Sequence, residues 1–334
     1  MRKIPTLDGW RSIAILLVVG HHVASALGNE TPLTWHGVMG VDVFFAISGL
    51  LITSQLLWDG HLGRFYIRRV FRILPPAAVY LAALGLLGLA SRSEILNCLL
   101  IFRNYANPGT AGRFTEHFWS LSLEEQFYLV WPLLLLGSGG RAPRVGLALI
   151  AAVCAWRFYA WWYIGLAYMH TDQRCDGLLW GSMAAFVVQE GKLKIGQVAA
   201  AVALVAAALL WSVPVFFPFV PAFLAAGVLG TAQHPEWAFS RFLDSKIPVW
   251  IGQRSYGIYL WQQLFIFAPI HISIVVKLAL MFLFTAISYR YFECPLREWG
   301  RRLARRAGEK SGPSGAALPL PHPDAVSLII GVNK

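Results

Sequence analysis

Two side chains in the first apolar run of this sequence can hold a charge and move a proton. Arg11 and His22 lie eleven residues apart. On a helix that is about 16 Å of rise, and eleven steps of 100° close about three turns, so both point to one face. A guanidinium binds anions, and an imidazole titrates near neutral pH. The pair reads as a line from an anionic ligand at the cytoplasmic end of a helix to a proton-handling group within the membrane. It reads equally as an arginine reaching for headgroups and a histidine hydrogen-bonded inside a bundle. His21 faces elsewhere and reads as structural.

Other candidates share this double character. Arg69 and Arg72, in RFYIRRVFRILPP, are three residues apart and so share a helical face. Two guanidinium forks suit a phosphate or pyrophosphate, and they suit anionic lipid as well. This basic, aromatic stretch reads as an interfacial amphipathic helix. Glu124 and Glu125 fall inside an apolar run, HFWSLSLEEQFYLVWP. Adjacent carboxylates diverge on a helix, so they form no acid/base dyad. One reads as the partner of an intramembrane arginine such as Arg157, the other as lining a polar cavity. Asp42 lies in GVDVFFAISG, and Arg174 with Asp176 in DQRCDGLLWG, where a local Arg174–Asp176 pair is the simplest reading. Small residues beside them (Gly40, Ser48, Gly49; Gly177, Gly181, Ser182) suggest close helix packing. Gln262 and Gln263 read as amide links between helices. The four cysteines (Cys98, Cys154, Cys175, Cys294) are scattered without metal spacing, and no metal is expected.

The elements that must position these residues are membrane helices. Of 334 residues, 57% are hydrophobic and 13% charged, about half the charged share of a soluble domain. About ten apolar segments recur, near 9–27, 38–58, 73–90, 118–137, 145–165, 174–189, 196–213, 215–234, 252–270 and 272–292. The net charge of +11 sits between them. Basic connections (Arg64 to Arg72; Arg141 and Arg144; Lys192 and Lys194; Arg241, Lys246 and Arg254; the run after Arg297) alternate with neutral ones. That alternation predicts both termini on the cytoplasmic side. The connection 91–117 departs from it with Arg92, Arg103 and Arg113, and reads as a folded or re-entrant element. Lipid headgroups, the positive-inside bias and an anionic substrate compete to explain the basic excess, and no nucleic acid is expected. No cleavable leader is evident, so the first run is expected to be retained.

Seven stretches together resemble the acyltransferase 3 family, membrane enzymes that move acyl groups, often acetyl, onto cell-surface sugars and other acceptors. They are LDGWRSIAILLVVGHH, GVDVFFAISGLLIT, RFYIRRVFRILPP, HFWSLSLEEQFYLVWP, DQRCDGLLWG, SYGIYLWQQ and YRYFECPLREW, in the family's order from residue 7 to about 299. Arg11 and His22 match the family's Arg/Lys-x10-His motif, in which the histidine is considered catalytic. Arg69 and Arg72 match its RxxR, linked to the acyl-CoA donor. Trp119, Ser120 and Glu124 fall on its WSL-x-x-E pattern, Arg174 and Asp176 on Arg-x-Asp, and Glu293 with Pro295 on Glu-x-Pro. The chain departs from the pattern at Trp10 and Ser12, and at Gln262, where the family often has histidine. Many members add an extracytoplasmic hydrolase-like domain, for which these residues leave no room.

The resemblance implies an all-α polytopic membrane protein with about ten transmembrane helices. An acyltransferase transmembrane domain would occupy 1–300, and a basic, then disordered, cytoplasmic tail 301–334. It further implies a bacterial inner-membrane O-acyltransferase using acyl-CoA, acetyl-CoA foremost, with no metal. The acceptor would be a surface saccharide or lipid-linked glycan, and a homo-oligomer is compatible. In this reading His22, Arg11 and Glu124 are catalytic and Arg69 and Arg72 bind the donor. Asp42, Trp119, Ser120, Arg174 and Asp176 meet substrate or hold structure. The rival is a proton-coupled transporter of a glycan or small anion, since carriers also bury Arg, Glu and His in their spans.

Overall fold

The computed structural model describes residues 4–106, 112–164, 169–191, 194–211 and 213–311. The described residues form helices joined by short connections, with no strand among them. Thirteen helices matter here. They are α1 (Pro5–Ala26), α2 (Met39–Asp59), α3 (Leu62–Leu86), α4 (Arg92–Leu99), α5 (Phe118–Ser138), α6 (Ala142–Tyr159), α7 (Asp176–Glu190), α8 (Gln197–Leu210), α9 (Val220–Gln233), α10 (Lys246–Gln253), α11 (Ser255–Phe267), α12 (Ile274–Ser288) and α13 (Cys294–Ser311).

Helices stand at each of the ten apolar positions. By length and composition, four helical runs suffice to cross a bilayer: His36–Asp59, Leu62–Leu86, Phe118–Ile164 and Ile274–Gly308. Gln197–Leu210 and Val220–Gln233 are apolar but shorter. Large apolar side chains face outward on α8 (Val198, Val202, Val205, Leu209) and on α12 (Val275, Leu280, Leu283, Ile287). A water-facing surface would not carry such stripes; a hydrocarbon solvent accepts them at no cost.

Two sequence expectations change. The basic stretch 64–72 is not a separate interfacial helix. It is the first half of α3, which runs unbroken through Pro75 and Pro76. One rigid rod therefore carries Arg69 and Arg72 and the apolar span after them. The basic run after Arg297 continues as helix α13 to Ser311; residues 312–334 of the expected tail lie outside the described residues.

Small residues bring α2 and α7 together. A Cβ on Gly49 would collide with the carbonyl of Leu178, and one on Gly181 with that of Ala46. The Ser182 hydroxyl reaches the Gly49 carbonyl at 3.4 Å as well as its own helix at Leu178. Such contact needs the glycines because backbone dispersion replaces side-chain burial there. Gly49→Leu would force the two helices apart and should cost about 3 kcal/mol or more. Gly20→Ala, where the added methyl meets nothing within 4 Å, should be neutral or slightly stabilising. Thermal unfolding of the two purified variants in detergent checks both outcomes.

The connection 91–117 is folded in its described residues, 91–106 and 112–117. Ser91 caps α4 through Oγ and receives the Glu94 carboxylate on its own N–H at 2.9 Å, a capping box. The other Glu94 oxygen accepts from the Gly112 N–H at 2.6 Å and the Thr115 hydroxyl at 3.0 Å. Partial burial would push the Glu94 carboxyl up, but these three donors, with the Ser91 hydroxyl at 2.8 Å, outweigh it and hold it below its ordinary value. Thr115 also accepts from Arg103 Nε at 3.3 Å. The loop is thereby fixed just before α5, and with it the residue that opens α5, His117.

Candidate functional site

Five helices converge on a narrow cavity of about 70 Å³. Arg11 reaches it from α1, Phe44, Phe45 and Ser48 from α2, and Arg72 from α3. Ser120 and Glu124 come from α5, and Ser255, Tyr256 and Tyr259 from α11. This volume is too small for a nucleotide.

The cavity is strongly basic at one side. Arg11, Arg69 and Arg297 all act electrostatically on Arg72. Arg11 is balanced by Asp8 at 3.0 Å, and Arg297 by the buried Glu293 at 2.9 Å. Among the described residues Arg69 and Arg72 have no carboxylate at ion-pair distance. Arg69 lies instead over the ring of Tyr128, 4.9 Å from its centroid. The Tyr128 hydroxyl donates to Glu124 at 2.5 Å. Glu125 acts on both guanidinium groups and Glu293 on Arg72, but only from beyond ion-pair distance, so an arriving anion would still find free donors there. Glu125 buries one oxygen without a hydrogen-bond partner.

From this basic end a polar line runs between α1, α5 and α11. Ser120 and Tyr259 hydroxyls stand 2.5 Å apart, and both reach the His117 carbonyl, at 3.2 and 3.1 Å. His117 and Gln263 follow, joined at 2.5 Å. His22 lies at the far end, packed edge-on to Phe267 of α11 and beside Gln262. Nδ1 of His22 and both amide atoms of Gln262 are buried without a partner. Arg11 and His22 thus meet the same neighbouring helix, Arg11 at Ser255 and Tyr256 and His22 at Gln262 and Phe267. The shared face expected from their spacing is real. His21 is occupied elsewhere, its Nδ1 at 3.1 Å from the Thr34 carbonyl and its ring against Trp35.

The remaining candidates form a separate interlock. Arg174 pairs with Asp42 at 2.6 Å, and Arg157 with Asp176 at 2.7 Å. This corrects two expectations: Arg174 does not pair with Asp176, and Arg157 does not pair with Glu124 or Glu125. The reason is position. Residues 174 and 176 leave the helix start in different directions, so each reaches across to another helix. Asp42 also accepts from Trp211 Nε1 at 3.4 Å, and Arg174 lies 5.9 Å from the Trp119 ring centroid. Asp42, Arg174, Asp176 and Trp119 therefore tie α2, α5, α6 and α7 together behind the cavity wall at Phe45, against which Trp119 packs edge-on. Ser120 alone of that group lines the cavity.

Sequence reading left Tyr128, Tyr259 and His117 unassigned. Each sits inside a stretch it had singled out, and the signal it lacked was which neighbouring helix each faces. Gln263 behaves as the expected amide link; Gln262 faces His22 instead, and neither of its amide atoms makes a well-formed hydrogen bond.

The chain matches a family model for the acyltransferase domain over residues 4–292, nearly its whole described length. It belongs to the acyltransferase 3 family. Over 357 aligned residues it is 29% identical to a protein named peptidoglycan O-acetyltransferase OatA from Listeria monocytogenes, an alignment covering 90% of this chain and 56% of that one. A putative peptidoglycan O-acetyltransferase of Bacillus subtilis is 27% identical over 369 residues, covering 91% of this chain and 57% of its own. A putative O-acetyltransferase of Staphylococcus aureus (strain COL) is 27% identical over 371 residues, with 90% and 58% covered. The chain spans a little over half the length of these relatives. No solved structure matches it. The acyltransferase motifs that fall on Arg11, His22, Arg72 and Glu124 are those that the cavity and its polar line gather.

Proposed function

We propose that this chain is an integral-membrane O-acyltransferase that moves an acyl group, acetyl foremost, from cytoplasmic acyl-CoA to a hydroxyl of a surface or lipid-linked saccharide. The observation that carries the reading is the two-ended site. Arg72 and Arg11 line one end of a narrow cavity with Arg69 beside them, and His22, its Nδ1 without a well-formed hydrogen bond, stands along the same helix face as Arg11. The family and the relatives' names support acyl transfer and a saccharide acceptor.

In this reading the donor's phosphates rest on Arg69 and Arg72, and on Arg11 in part. The acyl-pantetheine arm enters between Ser120, Tyr256 and Tyr259 toward His22. His22 serves the transfer as base or as transient acyl carrier, both within the reach of an imidazole lone pair. Glu124, held by Tyr128, balances the basic end. The topology that fits is ten spans in a bacterial inner membrane with both termini in the cytoplasm, because it places α3's basic end on the side where acyl-CoA is found.

Mass spectrometry of surface glycans and lipids from cells with and without the protein tests this. The expected result is a glycan or lipid-linked saccharide heavier by one acyl group only where the protein is present. Unchanged glycans, together with purified protein that consumes no acyl-CoA, would overturn the proposal and leave a carrier as the better account.

A further inference from the structure

Around His22 lies a group of buried polar atoms lacking well-formed hydrogen bonds, of which only the atom of His22 itself belongs to a residue given a role above. Nε2 of His117, Nδ1 of His22, Nε2 and Oε1 of Gln262 and Nε2 of Gln263 are all buried without a hydrogen-bond partner. They come from α1, α11 and the start of α5, and His22 and His117 act on each other electrostatically. Each orphan costs about 1–3 kcal/mol, so a cluster of them is poor structural design. Its chemistry is that of a receptor. The imidazole nitrogens and the Gln262 oxygen accept a hydroxyl proton, and the two amide nitrogens donate to a carbonyl oxygen.

His117 is the most constrained member. It is 3% exposed and enclosed by the rings of Tyr80, Phe118 and Tyr259. Its Nδ1 lies 2.5 Å from Gln263 Oε1, and its backbone N–H donates to the same oxygen at 3.5 Å. An amide oxygen only accepts, so Nδ1 carries the hydrogen and the neutral ring keeps its lone pair on Nε2. A purely structural histidine would use both nitrogens. Here the first bonds to Gln263, and the second makes no well-formed hydrogen bond, the Leu260 backbone being the other polar group beside the ring. Besides His22, the charged group acting on it is Arg103 of the folded connection. His117 stands at the opposite end from Arg72: along α5 it precedes Glu124 by about 10 Å.

We infer that His117 is the base that takes the acceptor's proton, with Gln263 fixing its tautomer and His22 carrying the acyl group. The inference rests on the acyl-transfer reading above. In the first half, Nδ1 of His22 bonds to the thioester carbon, the C–S bond breaks, and the thiolate leaves with the proton from His22 Nε2 as free CoA. In the second half the acceptor oxygen bonds to the acyl carbon and its proton passes to His117 Nε2. The C–N bond then breaks, and His117 returns that proton to the imidazolate of His22. The sum is acyl-CoA plus alcohol giving ester plus CoA, with no further reactant.

The test uses inverted membrane vesicles from the producing cells, which carry the full chain and its natural acceptor, with acetyl-labelled acetyl-CoA added. Label is followed on the protein and in the glycan and lipid fractions. For His117→Gln, transfer to glycan or lipid should fall by about 100-fold or more. Label should meanwhile accumulate on the protein, and hydroxylamine, which needs no base, should remove it at the rate seen with unaltered protein. Gln263→Leu, a milder change, should lower transfer by about 10-fold and lengthen the life of the labelled protein. Unaltered transfer in either variant overturns the inference, as does parallel loss of protein labelling and transfer with the protein still present. Transfer by unaltered protein without any labelled intermediate overturns it too. Should His117→Gln fail to reach the membrane, Gln263→Leu decides alone by the same readings. Failure of the parent reading looks different: the unaltered protein would then place no label anywhere.

Discussion

Replacing His22 with alanine should lower acyl transfer by about 1,000-fold or more while leaving the protein folded. The size follows from what an imidazole contributes as general base or nucleophile. The preserved fold follows from the structure. His22 is half-buried, its Nδ1 makes no well-formed hydrogen bond, and its one polar side-chain neighbour besides His21 is Gln262. Its ring makes one edge contact with Phe267 and one tilted contact with His21. Removing it leaves a small gap beside two partnerless amide atoms of Gln262 rather than a broken network. The measurement is release of free thiol from acetyl-CoA by purified protein, alongside a melting curve. Asparagine at 22 should fail as fully as alanine, because an amide has no basic nitrogen. Transfer that survives in either variant would remove His22 from the mechanism and leave Arg11 at one end of a line with no chemistry at the other.

How far this could be read from the sequence depends on the distance over which each property is set. Helix positions were legible, because a bilayer demands long apolar runs and those are local. The common face of Arg11 and His22 was legible for the same reason: a helix fixes it with no reference to neighbours. Partner choice was not. Arg157, Arg174, Asp42 and Asp176 are all visible as costly buried charges, yet which pairs with which depends on how α2, α6 and α7 rotate against one another. That rotation is set by Gly49 and Gly181, whose bare backbones define the closest approach. The continuity of α3 was hidden by its two prolines. Neither breaks the helix, and so the basic stretch and the span proved to be one rod. His117 was hidden by its place at a loop's end. Only the folded connection held by Glu94 and Thr115 delivers it to the bundle interior.

Arg72 carries the second large effect. Of the two RxxR arginines it alone lines the cavity, while Arg69 is spread over the Tyr128 ring. Arg11, Arg69 and Arg297 crowd it with like charge. An arriving phosphate both gains a planar fork and relieves that repulsion, which puts its worth at about 1.5–3 kcal/mol. Arg72→Met keeps the length and removes the charge, so KM for acetyl-CoA should rise by about 10- to 100-fold with a much smaller change in kcat. Lysine should recover only part of this, since a point charge cannot offer two parallel donors. Acetyl-pantetheine, which lacks the nucleotide and its phosphates, supplies the decisive comparison. The unaltered protein should show a raised KM for it, and Arg72→Met should handle the two donors nearly alike. Higher ionic strength should likewise weaken acetyl-CoA use by the unaltered protein more than by the variant. If instead Arg72→Met raises KM equally for both donors, the guanidinium is serving the cavity's shape and not the donor's charge. The anion must then be sought at Arg69, which would have to leave the Tyr128 ring to meet it.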